Sequence, residues 1–140
     1  MDLGLTGKRA LVTGSTAGIG LATARALARE GADVTLNGRT QARVDAAVAA
    51  LRRELPGATV AGIAADLSTA AGCAALIGRL PEVDVLVNNL GIFEPKRFEQ
   101  ISDEDWMRFF ETNVLSGIRL SRHYVGAMPS KSCWPSGCPA

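Results

Sequence analysis

Residues Thr13 to Gly20 read TGSTAGIG, three glycines at a G-x-x-x-G-x-G spacing, and the chemistry such a segment can do is to hold phosphate. They follow the short apolar run Arg9-Ala10-Leu11-Val12-Thr13 and precede a stretch with helical spacing of apolar residues. The first N–H groups of a helix have no partner inside it, and the helix dipole adds positive character there, so phosphate oxygens are drawn to that end. Gly14 would let the chain turn sharply, Gly18 would let a diphosphate approach the backbone, and Gly20 would let the helix pack closely. The hydroxyls of Ser15 and Thr16 would add donors. Glycine spacing alone also fits a tight turn with no ligand, but the position between strand and helix is what phosphate binding requires.

Further polar residues fall at the ends of later apolar runs. Asp66-Leu67 follows the run 59–64, and Asn88-Asn89-Leu90-Gly91 follows the run beginning at Val83. All of them belong to one edge of a sheet, the edge where doubly wound folds bind ligands. Asp66 could equally cap a helix before Ser68 and Thr69, and Asn88 could be a plain turn residue.

The elements that must position these residues alternate along the chain. Strands are expected at Arg9–Thr13, Val34–Asn37, Thr59–Ala64 and Val83–Asn88. Between them, helices are expected at Gly18–Glu30, stopped by Gly31, at about 41–55 after a Thr40 cap, and at about 69–80. A loop over 90–101 leads to Ser102 and Asp105, spaced as a capping box for a long helix ending near 126. Its broad apolar face comprises Trp106, Phe109, Phe110, Val114, Leu115 and Ile118. The strands are continuous apolar runs, which implies a sheet covered on both faces. The fold class is α/β: a Rossmann-type doubly wound parallel sheet in the order 3-2-1-4, occupying one domain over residues 1–128.

Composition narrows the function classes. The chain has 140 residues, 47% hydrophobic and 21% charged, with a net charge of +1. No strong field would draw nucleic acid or an anionic membrane, and no apolar run approaches the length needed to span a bilayer. The start, MDLGLTGKRALVTG, lacks the basic region of a signal peptide, so a cytoplasmic location is expected. Of three cysteines, Cys73 sits in an Ala-rich helical stretch and reads as a small buried hydrophobe. Cys133 and Cys138, with His123, match no zinc spacing, so no metal is expected. Residues 129–140 have no periodicity and three prolines, and are expected to be an irregular, disordered tail.

Taken together, Thr13–Gly20 resembles the TGxxxGIG loop of the short-chain dehydrogenase/reductase family. Asn88-Asn89-Leu90-Gly91 is similar to that family's NNAG motif, with Leu90 where alanine is usual. Asp66-Leu67 resembles its acidic site after the third strand, and Asn113 falls where the family places a helix asparagine near the active site. The resemblance runs from about Leu5 to Met128. It implies a nicotinamide dinucleotide held by Gly14, Ser15, Thr16, Gly18, Ile19 and Gly20, with Asp66 on the adenine amino group and Leu67 flanking the ring. Thr13 would brace the fourth strand near Asn88, and Asn88, Asn89 and Gly91 would line the floor towards the nicotinamide. Asn113 would be the catalytic-set residue present, although from its surroundings it also reads as a buried amide bridging backbone groups.

An acid at the end of the second strand would bind the ribose 2′-hydroxyl of NAD and repel a 2′-phosphate. Here that position holds Asn37 or Gly38, and Arg39 follows. With no carboxylate and a guanidinium suited to phosphate, NADP is expected in preference to NAD. Arg39 as a merely solvated charge near a helix start is the competing reading.

The family's acid/base pair is Y-x-x-x-K, with an upstream serine. The one tyrosine here, Tyr124, has Met128 four residues on, and it lies one βα unit too early. It reads as an amphipathic residue on a docking helix. The expectation is therefore the cofactor half of an enzyme that interconverts an alcohol and a carbonyl by hydride transfer, inactive alone. The alternative is a catalytically inactive nucleotide-binding or subunit-pairing module. The abrupt change after Met128 fits a frameshifted or truncated reading frame. The fourth strand would be an open apolar edge, and the helix at 103–126 would expose the face that the resemblance places in a subunit interface. A full-length homo-oligomer and a self-associating chain are expected. Phe93 to Phe98 is the one segment expected to line a substrate pocket.

Overall fold

The computed structural model describes residues 3–128. The expected irregular tail at 129–140, with Lys131, Cys133 and Cys138, lies outside the described residues. In chain order the elements are β1 (Arg9–Val12), α1 (Gly18–Arg29), β2 (Asp33–Gly38), α2 (Gln41–Glu54), β3 (Val60–Ala64), α3 (Ala70–Arg79) and β4 (Val85–Val87). A short 3₁₀ turn (Phe98–Gln100) then leads to α4 (Asp103–Phe110), a π-helical turn (Glu111–Leu115) and α5 (Ser116–Ala127).

The strands form one parallel sheet in the order β3-β2-β1-β4, as the alternation of runs requires. Successive residues of β1 serve opposite faces. Ala10 and Val12 pack with Ala24 and Ala28 of α1 and Ala47 and Leu51 of α2. Leu11 packs with Cys73 and Leu76 of α3 and Leu120 and Tyr124 of α5. This two-sided cover is complete for the central strands only. In β3 Ala61 is exposed, and all of β4 is half-buried, because both are edge strands of the described sheet.

Three local expectations are corrected. The β4 ladder covers Val85–Val87, not Val83–Asn88, because the N–H groups of Asn89 and Leu90 turn to the Thr13 hydroxyl instead of a strand. Thr40 occupies the N-cap position of α2 but makes no side-chain cap hydrogen bond. The long helix is broken by the π turn, and its inward stripe is Thr112, Ser116, Leu120 and Tyr124, four residues apart. The large apolar residues Trp106, Phe110, Val114 and Ile118 are 41–54% exposed, and an exposed face on this helix was expected. The capping box is present: Ser102 Oγ accepts from the Asp105 N–H and Asp105 accepts from the Ser102 N–H. Gly31 stops α1 with φ +84°. No helix among the described residues is long and apolar enough to cross a membrane.

Candidate functional site

Parallel strands put all four C-terminal ends at one edge, and the sequence places a polar residue after each. Gly14 and Gly18 both have φ +58°, a region open to glycine, so the loop between β1 and α1 reverses twice. A Cβ at Gly18 would meet nothing within 4 Å, which leaves the backbone there open to a ligand. Ala17, the N-cap of α1, supplies no side-chain cap, and the first turn of α1 carries no acid. The positive end of this helix is therefore left for an external anion.

Short polar side chains hold this loop from three directions. Thr13 Oγ1 donates to the Val87 carbonyl at 3.3 Å and accepts from the N–H groups of Asn89 (2.9 Å) and Leu90 (3.0 Å). Thr13 thus braces β4 as expected. The Asn89 amide donates to the carbonyls of Thr13 (3.0 Å) and Gly14 (3.1 Å). A Cβ on Gly20 would collide with that amide, so Gly20 makes room for Asn89 as well as for close packing. Ser15 is fully buried: its hydroxyl donates to the Val12 carbonyl at 2.7 Å and accepts from the Asn37 N–H at 3.0 Å. That hydroxyl is committed within the fold, which leaves that of Thr16 as the loop hydroxyl open to a ligand.

Asn37 is the residue that sequence reasoning undervalued. Its side chain is 1% exposed and accepts from the Gly14 N–H at 3.3 Å while donating to the carbonyls of Ile63 (3.1 Å) and Ala65 (3.3 Å). One amide therefore ties the phosphate loop to the end of β3. A polar residue inside an apolar strand was the available signal. Because Asn37 points inward, the position that could face a ribose is Gly38, with exposed Arg39 next.

Asp66 is exposed; its Oδ1 accepts from the Ser68 N–H (3.1 Å) and hydroxyl (2.7 Å). It does not cap α3, since the cap is Thr69, which accepts from the Gly72 N–H at 3.0 Å. The Leu67 side chain is 1% exposed and packs with Ile63 and Cys73, so only its backbone is left for a ligand. Ile19, by contrast, projects from the loop, 80% exposed. Asn88 is exposed and donates to the Ser121 hydroxyl at 3.0 Å. Asn113 is also exposed, not buried: its carbonyl accepts from the Ile92 N–H at 2.7 Å and its amide donates to the Ile92 carbonyl at 3.0 Å. It bridges backbone groups as expected, and the π turn around it presents the amide to the loop after Gly91.

Arg39, Asp66, Ser68, Leu90, Gly91 and Thr112 come together around a cleft of about 200 Å³. A larger one, about 470 Å³, lies at the opposite edge between the ends of α1 and α2. Of its charged lining residues, Arg29 and Glu54 pair with each other at 2.8 Å, and Asp33 is the third. Tyr124 stands apart from both clefts. It is fully buried, its hydroxyl donates to the Leu80 carbonyl at 2.6 Å, and burial pushes its pKa up to about 12.

Comparison with known proteins places the chain in a family. A family model described as short chain dehydrogenase matches residues 8–133. The chain is 50% identical over 131 residues to the Bacillus subtilis protein named uncharacterized oxidoreductase YvaG, covering 94% of this chain and 50% of that one. It is 38% identical over 127 residues to gluconate 5-dehydrogenase of Gluconobacter oxydans, covering 86% of this chain and 50% of the relative. Among solved structures, L-sorbose reductase from Gluconobacter frateurii, complexed with NADPH and L-sorbose, superposes with a TM-score of 0.84 at 36% identity, over 91% of this chain and 50% of that one. The chain spans about half the length of the curated relatives it matches.

Proposed function

Because this chain belongs to the short-chain dehydrogenase family, we propose that it binds a nicotinamide dinucleotide along the C-terminal edge of its sheet, preferring NADP(H) to NAD(H). The observation that carries this reading is the N-terminus of α1. Gly18, at φ +58° with nothing within 4 Å of where a Cβ would stand, exposes its backbone, and neither a side-chain cap nor an acid competes for it. Gly14, Thr16, Gly18, Ile19 and Gly20 would hold the pyrophosphate, with Ser15 fixing the loop from behind. Asp66 and the backbone of Leu67 would meet the adenine, and Asn88, Asn89 and Gly91 would form the floor. Arg39 would pair with a 2′-phosphate, and the related L-sorbose reductase was crystallised with NADPH. When bound, the nicotinamide supplies hydride exchange with a carbonyl or alcohol carbon; Asn113 holds the adjoining loop through Ile92. A cytoplasmic setting belongs to the same reading.

The whole protein would be an oxidoreductase that interconverts an alcohol and a carbonyl. A second reading, a nucleotide-binding or subunit-pairing module without catalysis, is favoured by Tyr124, whose hydroxyl is sealed against Leu80 and held protonated. Titrating NADPH and NADH against the chain by nicotinamide fluorescence tests the proposal. NADPH is expected to bind more tightly, and Arg39→Asp to weaken it by about tenfold or more while sparing NADH. Equal affinities in the parent chain and unchanged NADPH binding in the variant would remove the NADP assignment. Carbonyl reduction by the chain alone would remove the second reading.

A further inference from the structure

Gly38 closes β2, and its backbone does not lie among the left-handed glycines of this chain. Conformation is therefore not what excludes a side chain there. Space is: a Cβ at Gly38 would stand 2.5 Å from Thr16 Cγ2 and 3.2 Å from Val44 Cγ2. Thr16 belongs to the phosphate loop, and the loop has little freedom to retreat. Its neighbour Ser15 is tied to β2 through Ser15 N–H to the Asn37 carbonyl (2.9 Å) and Asn37 N–H to Ser15 Oγ (3.0 Å). Two heavy atoms on Cβ also restrict the rotamers by which Thr16 could swing aside.

We propose that Thr16 and Gly38 form a steric lock that sets cofactor selectivity: the Thr16 methyl occupies the space a carboxylate-bearing residue at 38 would need. This rests on the dinucleotide reading above and deepens it. An acid at the end of the second strand is the group that accepts an NAD ribose and rejects a 2′-phosphate. With Thr16 in place, the ribose-facing end of β2 carries no side chain, and the next residue, Arg39, is the exposed cation. The loop that takes the pyrophosphate thereby also decides what stands at the ribose.

The test is a double-mutant cycle in the full chain, with Thr16→Ala, Gly38→Asp and the pair. Thermal unfolding without nucleotide reads the lock itself. Gly38→Asp is expected to lower Tm by roughly 5 °C, and adding Thr16→Ala to recover at least half of that loss. Gly38→Ala, which adds only the colliding Cβ, gives the same cycle if the aspartate variant does not fold. Strictly additive shifts would overturn the lock. Nucleotide titrations read selectivity: the Thr16→Ala/Gly38→Asp pair is expected to move the NADH:NADPH affinity ratio by about tenfold more than Gly38→Asp alone. Equal ratios in the single and double variants would overturn it. If the parent chain binds neither nucleotide, the dinucleotide reading fails, and the unfolding cycle still decides whether Thr16 bars residue 38.

Discussion

At Tyr124 a single side chain separates packing from chemistry. The phenol is enclosed by α3 and α5, donates to the Leu80 carbonyl, and has its pKa pushed from an ordinary 10.0 up to about 12 by burial. A tyrosine that exchanges protons near neutrality needs a pKa moved the other way. The chain contains one tyrosine, so ultraviolet absorbance of tyrosinate reports it alone. Its ionisation midpoint is expected near 12, and a midpoint at or below 10 would contradict the burial. The sign for stability follows: a raised folded pKa keeps this contribution whole below pH 10, and it is lost as pH rises through 12. Tyr124→Phe is expected to cost about 1–2 kcal/mol at neutral pH, by denaturant unfolding, because the Leu80 carbonyl loses its donor.

At the scale of elements, α4 depends on its first turn. Asp105 accepts from the Lys96 ammonium at 2.7 Å and from the Ser102 N–H at 3.3 Å, and these hold its carboxyl at about 2, below the ordinary 3.8. A depressed folded pKa means that its stabilisation is complete above about pH 4 and disappears as pH falls through 2. The difference in Tm between the parent chain and Asp105→Asn is expected to shrink across that window; a constant difference would show that the carboxylate does not anchor the helix. Element existence and order were legible from apolar runs and their glycine stops, down to the capping box at Ser102. Two features were not. The end of β4 was misjudged because Thr13, distant in sequence, captures the N–H groups of Asn89 and Leu90. The inward stripe of the last helix is the other, because it runs through Thr112 and Ser116, polar residues whose burial apolar spacing does not signal; Ser116 Oγ donates to the Thr112 carbonyl at 2.6 Å. The motif residues of the site were legible for the same reason as the elements, since each ends a strand. Asn37 was not, because its partners Gly14, Ile63 and Ala65 come from three separate segments.

For the whole molecule, the outward apolar side of that helix leaves a surface to be covered. Met107, Phe110, Val114, Ile118 and Val125 lie along one outer side of α4, the π turn and α5, each at least 41% exposed. β4 adds a sheet edge with no neighbour beyond it among the described residues. Apolar faces of this kind on a small chain favour association. Sedimentation is expected to show self-association that rises with concentration, and Val114→Glu with Ile118→Lys to reduce it without loss of helix signal. A monomeric chain with one cooperative thermal transition at high concentration would contradict this.

The ties at the C-terminal edge have an energetic consequence for whatever the molecule holds there. Thr13, Ser15, Asn37 and Asn89 spend their polar groups on loop and strand backbone before any ligand arrives. The conformational entropy of shaping the loop is thus met during folding, at about 1–2 kcal/mol for each backbone residue fixed. Binding then has less disorder to remove, and more of the contact energy is left to appear as affinity.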